Sequence, residues 1–435
     1  MISVPFGKEF REKYFSKFDP NVVPVNHGSF GQTPDLIFDK YVEVLNKDYA
    51  HTDRFLRFEI YDAYVDAVKA LGSFVNADYH NLAIVENATI GVNIILRSYP
   101  FEKGDKIAIP STVYGACGNT AKFLEKRYGI ETVVVPLMYP MSDDEVVAKF
   151  KETFEKHHPK LALFDTVSSH PGVAVPYKSL TKLCKEHNVL SLVDGAHSVG
   201  LIPIDLEELK PDFYVSNLHK WCYVPRACAV LYIDPKHHNK IHTIPISHSY
   251  VDDDVELNKA DQENLLIDKF VFVGSNNCAP VFSIIDALNF RKNQCGGEDN
   301  IRHYCFTLAK QAGELISEKW NTSILENESE TLTSAMVTVE VPLEKLGITF
   351  EEFRDDFDGI TQESSRIMVY EYNTLVPFAI HNDKVYARFS AQIYNDLSDY
   401  DYASEKFIDA LKCLINRESD SVMKMVPRLA KIDVK

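Results

Sequence analysis

The chain has 435 residues, 45% hydrophobic and 25% charged, with a formal net charge of −17. This is a globular composition with length for one large and one small domain, and so acidic a chain without a basic tract argues against nucleic acid and anionic membranes as partners. Its eight cysteines form no C-x-x-C pair and show no zinc spacing; with no signal-peptide pattern in residues 1–5 and no apolar run near the ~20 residues of a membrane span, they read as reduced thiols of a cytoplasmic protein.

In chain order, residues 8–18 read as an amphipathic helix within an N-terminal arm of residues 1–30. Residues 24–31, with two glycines around Asn26, His27 and Phe30, read as a loop rather than a packed element. Residues 34–71 read as helices, broken by a polar stretch at 51–57. Its Arg54 and Arg57 suit a solvated face better than an acidic substrate or a partner subunit. Residues 81–85 form a strand, then a polar turn and a helix start at Ala88 and Thr89. The free N–H groups and dipole of such a terminus make a phosphate site, with the Thr89 hydroxyl as a further donor; a plain N-cap would use the same residues. Strand 106–110 leads to Tyr114. Strand and helix then alternate: 133–135, 143–157, 161–164, 178–188 and 189–193. That pattern predicts βα units and a largely parallel sheet.

Two strand ends carry chemistry. The apolar run 189–193 ends in Asp194-Gly195-Ala196-His197, where open α/β sheets bind ligands. A buried Asp194 needs a cation, and a protonated pyridine nitrogen supplies one. A turn-forming Asp and a core His are the ordinary alternatives. The run 213–215 leads to Ser216-Asn217-Leu218-His219-Lys220-Trp221. Desolvation of Lys220 favours the neutral amine that attacks a carbonyl; taken alone, a strand-end lysine reaching water is the commoner case. Strand 229–233 follows, then a predicted strand at 270–273 and a polar turn at Gly274 and Ser275. From about residue 291 the pattern shifts to a long helix (300–320), strands at 335–341 and 366–369, and a last helix at 399–414. Arg388 sits in an alternating segment and suits a bidentate grip on a carboxylate, although an edge-strand arginine facing solvent fits equally.

Taken together, the Asp194–His197 and Ser216–Trp221 motifs resemble the class V aminotransferase family of fold-type I pyridoxal 5'-phosphate (PLP) enzymes. The similar branch contains isopenicillin N epimerase-like proteins and fungal ergothioneine-pathway hercynylcysteine sulfoxide lyases. The resemblance implies an α/β fold, with a large PLP domain of mostly parallel mixed sheet (31–290) and a small α+β C-terminal domain (291–435). It implies Lys220 as the Schiff-base lysine and Asp194 on the pyridine nitrogen. His197, Asn217 and His219 would line the cofactor. Ala88, through its backbone, and Thr89 would hold the phosphate, with Tyr114 stacked on the ring and Ser168 near its oxygen. Arg388 would take the substrate carboxylate, with Asn26 and His27 facing the substrate. Gly274 and Ser275 would close the phosphate site of a neighbouring subunit, so a homodimer is expected. Arg226 would anchor the Lys220 loop. Tyr114, in a Tyr-Gly-Ala-Cys-Gly-Asn-Thr run similar to that of the fungal lyases, would also protonate departing sulfur. The expected activity is therefore β-elimination from a cysteine conjugate or its sulfoxide, giving pyruvate and ammonia. Epimerisation, transamination and a non-catalytic homologue are the alternatives. Cysteine desulfurases carry a reactive Cys shortly before this arginine; residues 370–378 hold none. Cys222 reads as a packing residue.

Overall fold

The computed structural model describes residues 4–252 and 255–415. Ten strands fall in two sheets: β1 (Leu82–Val85), β2 (Lys106–Pro110), β3 (Glu131–Val135), β4 (Leu161–Asp165), β5 (Leu190–Asp194), β6 (Phe213–Asn217), β7 (Ala229–Ile233), β8 (Met336–Glu340), β9 (Phe378–His381) and β10 (Lys384–Ser390). The large sheet runs β1-β7-β6-β5-β4-β2-β3. Strand β7 is antiparallel to both its neighbours, and the remaining pairs are parallel. Strands β4, β6 and β7 are buried along their whole length, which is why they read as unbroken apolar runs. Helices on both faces complete an α/β layer. The small sheet, β8-β10-β9, is antiparallel and packs with helices Glu298–Trp320 and Leu397–Ile415 around a second apolar cluster that includes Trp320, Phe389 and Phe407.

The N-terminal arm is stitched to this second unit. Val25 O accepts the Ser390 N–H at 2.8 Å, Gly7 N–H reaches Ile393 O at 2.8 Å, and Arg11 pairs with Asp399 at 3.0 Å.

Three local expectations are corrected. The segment at 270–273 is not a strand. Helix Lys259–Phe270 buries Leu265, Leu266, Ile267 and Phe270, and Val271–Val273 leave it as half-buried loop without a strand neighbour. Residues 366–369 lie inside helix Phe357–Glu371, where Ile360, Ser364, Ile367 and Met368 share one buried face at helical spacing. Short β-branched runs read alike in both periodicities until a partner is present. Finally, residues 26–31 are not only loop: His27–Phe30 forms one helical turn packed on the turn that bears Lys220.

Gly31 ends that turn with φ at 65°, and a Cβ there would lie 1.8 Å from His219 O and 2.7 Å from the Lys220 Cα. Backbone cannot yield as a flexible side chain does. Gly31→Ala is expected to cost about 2 kcal/mol or more, read from urea unfolding.

Candidate active site

The site lies where β4, β5 and β6 end and the small sheet and the arm meet them. Lys220 stands on the helical turn Leu218–Trp221 directly after β6. Two carbonyls of that turn are capped from elsewhere: His27 Nε2–H donates to Lys220 O at 2.8 Å, and Arg291 Nη1 donates to Trp221 O at 2.6 Å. Arg291 also donates to Gly200 O at 2.8 Å and pairs with Glu298 at 2.6 Å, so it ties the Lys220 turn to the loop after Asp194. Arg226 donates to the carbonyls of Phe30 and Gly31, each at 3.2 Å.

Lys220 Nζ is 3.2 Å from His197 Nε2, and His197 Nδ1 accepts the Trp221 indole N–H at 3.2 Å. An indole nitrogen only donates, so the neutral His197 carries its proton on Nε2. That proton can bond Lys220 only if the amine offers a lone pair. Electrostatics agree. Burial, and then the Arg388 charge, bring the Lys220 pKa down to about 7, against an opposing pull from Asp194 and Asp165. Burial, with Lys220 and Arg388 nearby, also holds His197 well below the usual imidazole range.

Asp194 is buried at the end of β5. Its Oδ1 accepts the Ala196 N–H at 3.0 Å, and its Oδ2 lies 3.5 Å from the Cys117 thiol. Burial raises its pKa, and the Ala196 N–H, Lys220 and Cys117 oppose the rise. Tyr114 immediately precedes helix Gly115–Tyr128 and is partly exposed; burial, Cys117 and Asp194 push its hydroxyl pKa up, so it keeps its proton at neutral pH.

Arg388 on β10 is 1% exposed. Its Nη1 donates to Ser169 O at 2.6 Å, and its Nη2 donates to Ser29 Oγ at 2.8 Å and Asn26 Oδ1 at 3.1 Å. Its Nε has no partner, and no acid among the described residues pairs with it. Gly172, at φ 82°, lies against its stem: a Cβ there would be 2.9 Å from Arg388 Cδ. A buried guanidinium ringed by neutral acceptors is a receptor for a carboxylate.

Several of the expected site residues have partners within the chain. His27 uses both ring nitrogens, on Lys220 O and on the Tyr394 hydroxyl at 2.8 Å, so it positions the Lys220 backbone. The Ala88 N–H is taken by Asn217 Oδ1 at 2.8 Å. With Ile90 N–H on Asn87, the Thr89 N–H and hydroxyl are the groups left for an anion at that helix end. Ser168 is wholly buried and closes its own turn on Val173, leaving Ser169 to meet Arg388. His219 Nδ1 is held by Cys228 O at 2.8 Å, with Nε2 remaining. Ser275 lies exposed on the loop after Phe270, next to a half-buried Gly274. Asp165, Ser29 and Arg291, to which the sequence assigns no role, also belong to the site. Asp165 ends a buried strand just as Asp194 does, so the same rule reaches it; nothing local marks Arg291.

These groups fit PLP. Lys220 offers an amine whose uncharged form is reached near pH 7 to the aldehyde, Asp194 a buried carboxylate to the ring nitrogen, and Thr89 unused donors to the phosphate. The aminotransferase class V family model matches residues 31–347. The chain belongs to the class V aminotransferase family. It is a PLP-dependent enzyme of that family. It is 29% identical to hercynylcysteine sulfoxide lyase of Schizosaccharomyces pombe over 93% of this chain and 97% of that one. With isopenicillin N epimerase of Streptomyces clavuligerus it shares 23% identity, over 74% and 82%. Among solved structures, the cystine C–S lyase C-DES with its product cysteine persulfide superposes with a TM-score of 0.72 at 18% identity, covering 90% of this chain and 98% of that one. No helix of the described residues is long and apolar enough to cross a membrane.

The neutral amine has a kinetic signature. Capture of PLP by the cofactor-stripped enzyme is expected to rise with pH through about 7 and level off above it, followed by borohydride trapping. Arg388→Met removes a charge that depresses the amine, so the midpoint moves up, by roughly one pH unit. A wild-type midpoint near the ordinary lysine range would refute this account.

Proposed function

We propose that this enzyme is a carbon–sulfur lyase that cleaves the Cβ–S bond of a cysteine conjugate or its sulfoxide, of the hercynylcysteine sulfoxide type, releasing pyruvate and ammonia. The observation that carries the reading is a Tyr114 hydroxyl that keeps its proton, in a site that also contains a Lys220 with its pKa lowered to about 7 and an Arg388 guanidinium with no acid partner among the described residues. The similarity to the S. pombe lyase over nearly the whole of both chains supports it. The absence of a cysteine from residues 370–378 weighs against a persulfide-forming desulfurase.

Arg388 would bind the substrate carboxylate bidentately, displacing acceptors it now holds at Asn26 and Ser29. PLP, when bound, supplies the electron sink for the Cα–H electrons. Lys220 Nζ takes the Cα proton once its lone pair leaves the His197 Nε2–H that holds the amine in place. Loss of the Cβ substituent then needs a proton on sulfur, or on the sulfoxide oxygen, and Tyr114 holds one. Water completes the balance: the aminoacrylate released by β-elimination hydrolyses to pyruvate and ammonia. Asp194 would hold the ring nitrogen and favour its protonated form. Action as a cytoplasmic homodimer, with Gly274 and Ser275 reaching the neighbour's phosphate site, belongs to the same reading.

Hercynylcysteine sulfoxide given to the PLP-loaded enzyme is expected to yield pyruvate and ammonia, with plain cysteine as control. Lys220→Ala should abolish release. Arg388→Lys should raise KM roughly 100-fold, because one point charge replaces a fork. Tyr114→Phe should lower kcat by about 10²-fold or more with KM nearly unchanged. Solvent exchange of the α-hydrogen without pyruvate would overturn the lyase in favour of an epimerase or aminotransferase.

A further inference from the structure

We propose that Asp165 acts as a neutral carboxylic acid, a positioning residue that keeps its proton beside the Asp194 carboxylate and so holds this buried pair at one negative charge. The inference rests on the reading of Asp194 as the ring-nitrogen partner for its functional meaning, but not for its test.

The geometry begins with the register. Strands β4 and β5 are parallel, and Asp165 pairs with Asp194 at their last positions. Paired positions on parallel neighbours face the same side of the sheet about 4.8 Å apart. Both residues are buried, at 7% and 4% exposure. Asp194 stands beside Asp165 in the register, and Cys117 on helix Gly115–Tyr128, Tyr139 and Lys220 are the further titratable groups close enough to interact with it electrostatically. Lys220 is the one cation candidate among them, and its contact with His197 leaves it a neutral amine. Two ionised carboxylates would then stand side by side in a desolvated pocket without a counter-charge, so one of them keeps a proton.

The hydrogen bonds decide which one. Asp194 receives the Ala196 N–H and the Cys117 S–H, donors that favour its ionised form. Among the described residues, the donor directed at the Asp165 carboxyl is its own backbone N–H, and burial together with the Asp194 charge pushes its pKa well above the carboxylate range. The proton therefore rests on Asp165.

The consequence reaches Lys220. A second negative charge would favour the ammonium and silence the amine that must meet the aldehyde. A single charge on the pair also balances a single pyridinium. Asp165 thus acts through Asp194 and Lys220 and does not itself touch the reacting atoms.

Isotope-edited infrared spectroscopy of the full-length PLP-loaded enzyme, labelled with carboxyl-¹³C aspartate, tests this at neutral pH. A protonated-carboxyl band is expected in the wild type, absent from Asp165→Asn. The Asn side chain also mimics a neutral donor. The variant is therefore expected to bind PLP within about threefold of wild type, and its pH midpoint for PLP capture should stay within roughly half a pH unit. Should Asp165→Asn fail to accumulate, Asp165→Ser gives the same band assignment. Absence of the band from the wild type, its persistence in the variants, or a downward shift of the capture midpoint by about one pH unit in Asp165→Asn would overturn the proposal, the last because it reveals a lost negative charge. The cofactor reading fails separately, by the absence of a borohydride-reducible adduct at Lys220, and the infrared band of the same protein still locates the proton.

Discussion

A half-buried amine with no ion pair among the described residues is the constraint around which this molecule is arranged. Removing Lys220 from water disfavours its charge, and the Arg388 guanidinium opposes that charge further. The fold does not answer with a salt bridge. It answers with a chain of fixed donors: the Trp221 indole sets the His197 tautomer, and His197 then offers a proton to the Lys220 lone pair. A side chain held as a nucleophile must also be held in place. The carbonyls of Lys220 and Trp221 are accordingly capped by His27 from the arm and by Arg291 from the helix Ile284–Asn293.

Those caps explain why the arm, the large sheet and the small sheet share one site. Arg388 is carried by β10, yet its guanidinium is ringed by Ser169 from the segment after β4 and by Asn26 and Ser29 from the arm. The arm in turn is bonded to the end of β10 through Val25 and Ser390. A substrate carboxylate entering at Arg388, as proposed, would meet a surface built from both sheets and the arm, while the carbon chemistry would take place at Lys220 on the turn after β6. Separation of binding from bond breaking along one line of residues suits an enzyme whose substrates share an amino-acid end and differ beyond it.

Much of this was legible along the chain. Continuous apolar runs capped by Asp194 and by the Asn217–Lys220 cluster announced parallel strands ending at a ligand site, because strand burial and the position of polar residues at carboxyl ends are local properties. The failures share a cause. The 270–273 and 366–369 segments carry apolar residues that fit a strand or a helix, and packing partners settled the choice. His27 was placed near the substrate by resemblance, but its two ring nitrogens are consumed by Tyr394 and by a backbone carbonyl far away in sequence. The polar groups of Ser168 and Ala88, assigned to the cofactor by the same resemblance, are likewise committed to partners within the chain.

The sequence by itself determined the α/β class, the positions of Lys220 and Asp194 at strand ends, and the membership of a PLP-dependent family, since each depends on residue identity at short range. Only the tertiary structure decided how those residues are charged. The tautomer of His197, the lowered pKa of Lys220, the pairing of Asp165 with Asp194 and the lack of an acid beside Arg388 among the described residues all depend on which groups meet after the chain has left water. Desolvation and hydrogen-bond geometry belong to the packed site, and no stretch of sequence contains them.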